Sequence, residues 1–592
     1  MYPKLVKVKS GTKKVQEMVY LRLMERVKVD GVWKERVVAN LGRQDVEGRQ
    51  ALGDLLLKLR RFSDELLVRP EEIESRQARD HGAVLVGQAL WRQVGLDAAL
   101  PKICGKPLAG SLGEAGVLAM VLNRLCSARS KLALYDWMPT VYLPAWQSQG
   151  FLLPDEPEVY AERFYRTMDW LIAGKNKEKI EAHVAAWAQT LFPVEVVFYD
   201  ITNIQFEGWQ ELKQARFGHV KVGRRNHKQI LLGLVMCERL PVACHLFRGN
   251  RAEKTTLLWV HQKLKKQFNV GRIVTVADRG QISEATLNQI EVDGDGYIVA
   301  LKRRRCTEVE PLLEQDASTF VPLVWNRSKI LTLSAWEAPV EKATLPNRPD
   351  KRRIVVFNPV KAREDRDKRT EAIAELEADL QELQERVQDK KGQPKTIRTI
   401  TIAAEKILSH RNGKRYFRYR VEKDRSFVFE PNEKGRALED KLDGKWVIRT
   451  IEKDLPFKDV VFKYKDLLEV EDGFRHLKDF IKVAPVNHWR YRRVKAHVFI
   501  CVLALLLERL LDEKLKEAKM DLSARKALEK LKTIKVVSNR VAHLDLKYVT
   551  PPTEELDKIL AACGLYKLPK ILAEPLPSKC MPSAPNTEKS PR

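Results

Sequence analysis

A chain of 592 residues with 44% hydrophobic and 8% aromatic content can bury several cores, which excludes a disordered protein and suggests about four domain-sized units. Its 106 Lys and Arg against 79 Asp and Glu leave a formal charge of +27, a self-repulsion that a polyanion relieves, so nucleic acid is the expected partner. The basic start lacks an apolar stretch and the longest apolar run, Val498 to Leu507, is too short for a bilayer; no signal or membrane span is expected, and the protein is placed in the cytoplasm, with the nucleoid.

From Met18 to Gly42, alternating runs such as Val19-Tyr20-Leu21-Arg22-Leu23 and Val32-Trp33 flank Asp30-Gly31, which predicts a β-hairpin. Residues 1–60 thus read as a basic β-rich module. Apolar spacing turns helical from Val46, as in Leu52-Leu55-Leu56-Leu59 and Gly87-Leu90-Trp91-Val94, and residues 61–190 read as a helical domain. Residues 191–302 read as three strands (Val196–Thr202, Gln229–Cys237, Val242–Phe247), then helix Glu253–Phe268, strand Arg272–Ala277, helix Ser283–Ile290 and strand Tyr297–Leu301. Three strands followed by alternating helix and strand give a ribonuclease-H-like order that lacks its last helix.

Residues 303–455 are too many for a loop and read as an inserted α+β domain. Ile373, Leu376, Leu380, Leu383 and Val387, then Ile397, Ile400, Ala404 and Ile407, predict an intramolecular helical hairpin, with strands at Arg353–Phe357 and Phe427–Glu430. Residues 456–515 return to the core through a helix spanning Tyr464 to Phe480. Residues 516–572 read as helical, and the proline-rich 573–592 as a disordered tail. The fold class is α/β multidomain: a ribonuclease-H-like core interrupted by a large insertion, with a β-rich N-terminal module and helical flanking domains. The eight cysteines form no C-x2-C pair and read as reduced thiols; Cys237 and Cys244, with His245 or His227, lack zinc-site spacing.

Three acids stand where carboxylates are costly. Asp200 lies in the β-branched and aromatic strand Val196-Val197-Phe198-Tyr199-Asp200-Ile201-Thr202, and Asp278 ends the apolar strand Ile273-Val274-Thr275-Val276-Ala277. Taken singly, each also suits a turn or a helix cap. On one continuous helix at about 100° per residue, Glu471 falls in a narrow sector with Tyr464, Leu467 and Lys478, beside Phe474.

In order and spacing these acids resemble the DDE transposases and, within them, the insertion-sequence-four superfamily, whose third acid lies in Y-x2-R-x3-E-x6-K. Tyr464, Glu471 and Lys478 match that motif, with Leu467 at the arginine position. The Asp200-Ile201-Thr202, Ala277-Asp278-Arg279-Gly280 and Phe247-Arg248-Gly249-Asn250 segments are similar to the same group, and the resemblance runs from about Tyr20 to Leu511. It implies that Asp200, Asp278 and Glu471 are catalytic and hold two Mg2+ ions, replaceable by Mn2+, for cleavage at the terminal inverted repeats of a bacterial mobile element and strand transfer into target DNA. It further implies that Tyr464 and Lys478 contact the DNA end and that a homodimer brings two ends together in a synaptic complex.

Further DNA contacts are expected from basic residues around the acids: Arg279, Arg475, the run containing Lys221, Arg224 and Arg225, and Arg490, Arg492 and Arg493 among His488, Trp489 and Tyr491. A solvated charged turn is an equal reading of each run. Recognition of the ends is assigned to the N-terminal module and the helical domain, because a core that acts on phosphates reads little sequence. Two other readings remain open: a structure-specific nuclease on the same core, and a noncatalytic DNA-binding descendant of a transposase.

Overall fold

The computed structural model describes the chain except residues 11–15, 60–72, 148–155, 193–195, 208–211, 219–226, 269–271, 303, 305–307, 327–329, 344–347, 390–395, 542–543 and 573–592. The expected disordered tail lies outside the described residues. The chain divides into two compact units, one of Met1–His81, Thr533–Thr553 and Lys567–Arg592, the other of Gly82–Lys532 and Glu554–Tyr566.

The first unit opens with an antiparallel sheet of β1 (Tyr2–Ser10), β2 (Gln16–Val29) and β3 (Val32–Arg43), in that order. Its turn is the expected Asp30-Gly31, with φ of 53° and 82°, the paired positive values that let a two-residue turn follow the strand twist. The sequence reading has no β1, because lysines mask the alternation of Val6 and Val8. Helix α1 (Val46–Leu59) follows, and then β4 (Ile73–Asp80). This strand corrects the wholly helical reading of 61–190: Glu74-Ser75-Arg76-Gln77 has no strand pattern, and its partner is the distant segment Lys535–Val541.

The second unit begins with α2 (Gly82–Gln93), α3 (Leu96–Cys104), α4 (Gly113–Cys126), the single turn α5 (Leu134–Trp137), α6 (Pro157–Leu171) and α7 (Asn176–Gln189). The next strands are β5 (Val196–Gln205), β6 (Gln229–Cys237), β7 (Leu240–Arg248), β8 (Val274–Ala277) and β9 (Gly296–Ala300), with α8 (Leu257–Phe268) and α9 (Glu284–Val292) between the later ones. β5 pairs antiparallel with β6 and parallel with β8, while β6 pairs with β7 and β8 with β9. Their continuous apolar runs are buried on both faces, as strands between helical layers require.

Four more strands extend this sheet: β10 (Val321–Asn326), β11 (Ile330–Glu337), β12 (Arg352–Phe357) and, after an excursion, β15 (Lys445–Thr450). The nine strands run β10-β11-β12-β15-β9-β8-β5-β6-β7, so part of the expected insertion continues the central sheet. The excursion holds α10 (Pro359–Gln388), α11 (Ile397–Ser409), the hairpin β13 (Phe417–Val421) and β14 (Phe427–Pro431), and α12 (Glu433–Leu442). Leu376, Leu380 and Leu383 pack on Ile400, Ala404 and Leu408, and Phe417 and Phe427 close this small core, so the heptad-like seam is intramolecular.

The single helix expected over Tyr464–Phe480 is two: α13 (Phe457–Lys465) and α14 (Leu467–Asp479), broken at Asp466. The buried Asp466 carboxylate accepts from Trp325 Nε1 at 3.0 Å, a tertiary bond that competes with a straight helical path. Next come α15 (Tyr491–Glu517), buried at every position from Val498 to Leu511, and α16 (Ala524–Leu531). The chain then returns to the first unit as β16 (Lys535–Val541), β17 (Leu544–Val549) and β18 (Ile571–Leu572), in a sheet ordered β18-β17-β16-β4. Helix α17 (Glu554–Ala562) belongs to the second unit. Residues 516–572 are therefore part strand, not wholly helical as read. No described helix is long and apolar enough to cross a membrane, and the described cysteines are free thiols.

Among the described residues, a buried amine between α4 and α15 has no carboxylate beside it. Lys131 Nζ lies 3.5 Å from His497 Nδ1, and burial, reinforced by Arg124, pushes the amine down to about 7. Between that value and its unfolded value of 10.5, the unfolded chain holds a proton that the folded chain refuses, so this group's burden on stability falls as pH rises through the window. Lys131→Met is expected to stabilise the protein by a few kcal/mol below pH ~7, with the gain shrinking toward pH ~10. Urea unfolding of both proteins across that range checks it, and a pH-independent difference refutes it.

Candidate active site

Asp200 and Asp278 are brought together by sheet register. β5 and β8 are parallel neighbours with Tyr199 opposite Ala277, so Asp200, within β5, and Asp278, the first residue past β8, stand at the same level of the sheet. Side chains alternate along a strand. Tyr199 points to one face, where its hydroxyl donates to Thr256 Oγ1 at 3.1 Å, and Asp200 and Thr202 point to the other.

Helix α14 covers that second face. Lys478 Nζ donates to Thr202 Oγ1 at 2.7 Å, and Gly473 backs onto Met236 and Leu234, the latter paired with Asp200 across β5 and β6. Val470, Phe474 and Leu477 are buried under the helix and contribute about 1.5–3 kcal/mol each to holding it. At the other end, Tyr464 on α13 donates its hydroxyl to Asp278 Oδ1 at 3.2 Å. The α13–α14 segment thus touches the Asp278 loop through Tyr464 and the Asp200 strand through Lys478, with Glu471 midway in sequence. Glu471 is exposed and shares a helix face with Lys478, two turns or about 10.5 Å further along the axis.

Electrostatics tie Glu471 to this region. Burial, the Asp278 charge and the hydrogen bond to it push the Tyr464 phenol far above its usual range; Glu471 adds to the rise and Arg279 opposes it. Tyr464 therefore stays a donor. The break at Asp466 corrects the geometry read from one helix: Tyr464 and Glu471 lie on successive helices, and Leu467, at the superfamily's arginine position, is a buried core residue.

Gln281, absent from the sequence reading, joins the two aspartate segments. Its Nε2 donates to Asp200 Oδ1 at 2.5 Å, and the same oxygen accepts from Ile201 N at 2.7 Å. The only signal for it is its position three residues after Asp278, in the turn that β8 feeds. Beside Asp278 a cavity of about 360 Å³ is lined by Arg279, Lys361, Lys445, Trp446, Tyr464 and Lys465, among others. Lys465 Nζ stands 3.8 Å from the centre of the Trp446 ring, another pairing that spacing alone could not give.

The remaining face of α14 is locked. Glu469 accepts from Arg239 Nε at 2.9 Å, Arg239 also reaches Glu513 at 2.5 Å, Asp472 accepts from Arg509 at 2.5 Å, and His476 lies 2.6 Å from Glu508. These partners keep Glu469 and Asp472 distinct from the outward Glu471.

The expected DNA contacts fare unequally. Arg279 is exposed beside Asp278, and the exposed Arg475 pairs with Asp472. Arg490 lies over the exposed Trp489 ring at 4.6 Å. Arg492 and Arg493 pair with Asp169 at 2.8 and 3.0 Å, and Arg493 also covers the Tyr165 ring at 4.8 Å, so both fasten the start of α15 to α6. Lys221, Arg224 and Arg225 lie outside the described residues.

The carboxylates of Asp200, Asp278 and Glu471 are hard oxygen donors, of the kind that suit Mg2+ or Mn2+. Among the described residues, no three His, Cys, Asp or Glu side chains are drawn together closely enough to ligate one ion.

No protein-family model matches the chain, and no curated protein matches it. Six solved chains do. One, the piggyBac transposase synaptic complex with hairpin DNA, aligns at a TM-score of 0.33 and 8% identity over 77% of this chain and 82% of that one, which makes it a distant structural neighbour.

Proposed function

We propose that the chain is a DDE-type DNA transposase with a ribonuclease-H-like core, cutting at the ends of a mobile element and transferring the 3′-hydroxyl ends into target DNA as a homodimer. The observation that carries this reading is the placement of Asp200 within β5 and Asp278 just past the end of its parallel neighbour β8, with the successive helices α13 and α14, the second bearing Glu471, tied to them through Tyr464 and Lys478. The insertion-sequence-four motif adds to it.

Asp200, Asp278 and Glu471 would hold the divalent ions, which when bound activate the attacking oxygen and neutralise charge on the phosphate. The chain's own groups do the rest. Gln281 orients Asp200, Tyr464 orients Asp278, and Lys478 and Arg279 offer cations to the phosphates that flank the scissile bond.

The test is incubation with duplexes carrying the inverted repeats that flank the coding sequence, with Mg2+, with Mn2+ or with a chelator. Cleavage and joining of the 3′ ends to a second duplex are expected with either metal and none with chelator. Metal-independent cleavage refutes the reading, and cleavage without joining favours a structure-specific nuclease.

A further inference from the structure

The N-terminal sheet is unevenly supported. β1 pairs with β2 from Ser10 opposite Gln16 to Tyr2 opposite Met24, and there it stops. Beyond Met24, β2 and β3 run on as a two-stranded ribbon closed by Asp30-Gly31, and every residue from Lys28 to Val38 is exposed. An unsupported hairpin is marginally stable in water, and this one presents Val29, Val32 and Trp33, with Trp33 66% exposed. Exposed apolar surface in such a place marks a contact site.

Charge identifies the partner. The first 43 residues carry eleven Lys and Arg against four Asp and Glu. Two of those acids are neutralised within the sheet, Glu25 by Arg36 at 2.8 Å and Glu35 by Lys4 at 2.5 Å. Among the described residues Lys28 and Lys34 have no carboxylate partner, whereas Arg26 faces Glu35 across the ribbon and leans on the Tyr2 ring at 5.9 Å. Directly paired residues share a face, so Arg26, Lys28 and Trp33 project from one side of the ribbon and Lys34, with Val27, Val29 and Val32, from the other. Two strands about 4.8 Å apart, with side chains, match a major groove about 12 Å wide, which admits a β-ribbon.

We propose that the free end of this ribbon, from Arg26 to Glu35, is a DNA-binding arm that lies in the major groove of a duplex. Arg26, Lys28 and Lys34 engage phosphates and base edges, and Trp33 packs against thymine methyl groups and sugars. The choice of duplex DNA over other polyanions rests on the transposase reading.

The test measures affinity of the full-length protein for a fluorescent random-sequence duplex over a series of KCl concentrations. Joint replacement of Arg26, Lys28 and Lys34 by alanine is expected to reduce the slope of log affinity against log salt by about 2–3, and Lys28→Gln alone by about 1, which keeps the test readable if the triple variant is unstable. Trp33→Ala is expected to weaken binding about tenfold with the slope unchanged. Unchanged slopes in the charge variants overturn the arm, as does a changed oligomeric state with the slope intact, which would assign the ribbon to contact with a second copy. Metal-dependent cleavage is scored separately: no cleavage by the wild type with a reduced slope in the variants refutes the transposase alone, and cleavage with unchanged slopes refutes the arm alone.

Discussion

Asp278→Asn is expected to lower strand cleavage by about 10³-fold or more while leaving duplex affinity within about threefold. The side chain sits at the open end of β8, beside the Asp200 strand, and accepts from Tyr464. An amide keeps its size and that hydrogen bond but removes the negative charge that a divalent cation requires. Tyr464→Phe separates the two roles. It removes only the donor to Asp278, a bond worth about 1 kcal/mol, so a loss of about tenfold or less is expected. Single-turnover cleavage and a binding isotherm for each variant decide the matter. If Asp278→Asn keeps more than about a tenth of the activity, or loses binding in step with cleavage, the carboxylate has no chemical role.

Arg239→Met is expected to cost about 3–5 kcal/mol of stability, because it strands a buried carboxylate. Arg239 lies between Glu469, whose side chain is 2% exposed, and Glu513. Without the guanidinium, Glu469 has to carry its charge in the interior or pull α14 outward. Adding Glu469→Gln is therefore expected to recover about half of the loss. The measurement is urea unfolding of the wild type, both single variants and the double variant, with midpoints compared at a common slope. Strictly additive losses would show that the pair is not coupled. Because α14 carries Glu471 on its opposite face, cleavage by Arg239→Met is expected to fall along with stability, and to recover in the double variant.

What could be read from the residues follows from how local their causes are. Strands β5 to β9 were legible because their β-branched runs are buried on both faces, and the β2–β3 turn because Asp30-Gly31 accepts positive φ with little strain. The seam from Leu376 to Leu408 was legible because a helical hairpin makes its own core. The break at Asp466 was not, since it depends on Trp325 from β10, far away in the chain. Nor was β4, whose polar residues become a strand only because β16 supplies its hydrogen bonds. At the site, three short motifs pointed to Asp200, Asp278 and Glu471, whereas Gln281 had no pattern to announce it and matters through one bond across the fold. The basic runs gave charge without its destination: Arg492 and Arg493 have Asp169 as a partner.

The joining of β12 to β15 sets where the chain can be trimmed or lengthened. Phe357 pairs with Lys445, and just outside that pair Asn358 N donates to Gly444 O at 2.9 Å, so the two strands meet at a hydrogen-bonded neck from which residues 359–443 emerge and return. A graft or excision made there leaves all nine strands in register, while one made at 303 and 455 would remove four of them and uncover β9 as a raw edge. Relatives that differ in the length of this region are therefore expected to vary outside the neck, and an engineer seeking a smaller protein, or a port for a fused partner, has its two attachment points in Asn358 and Gly444.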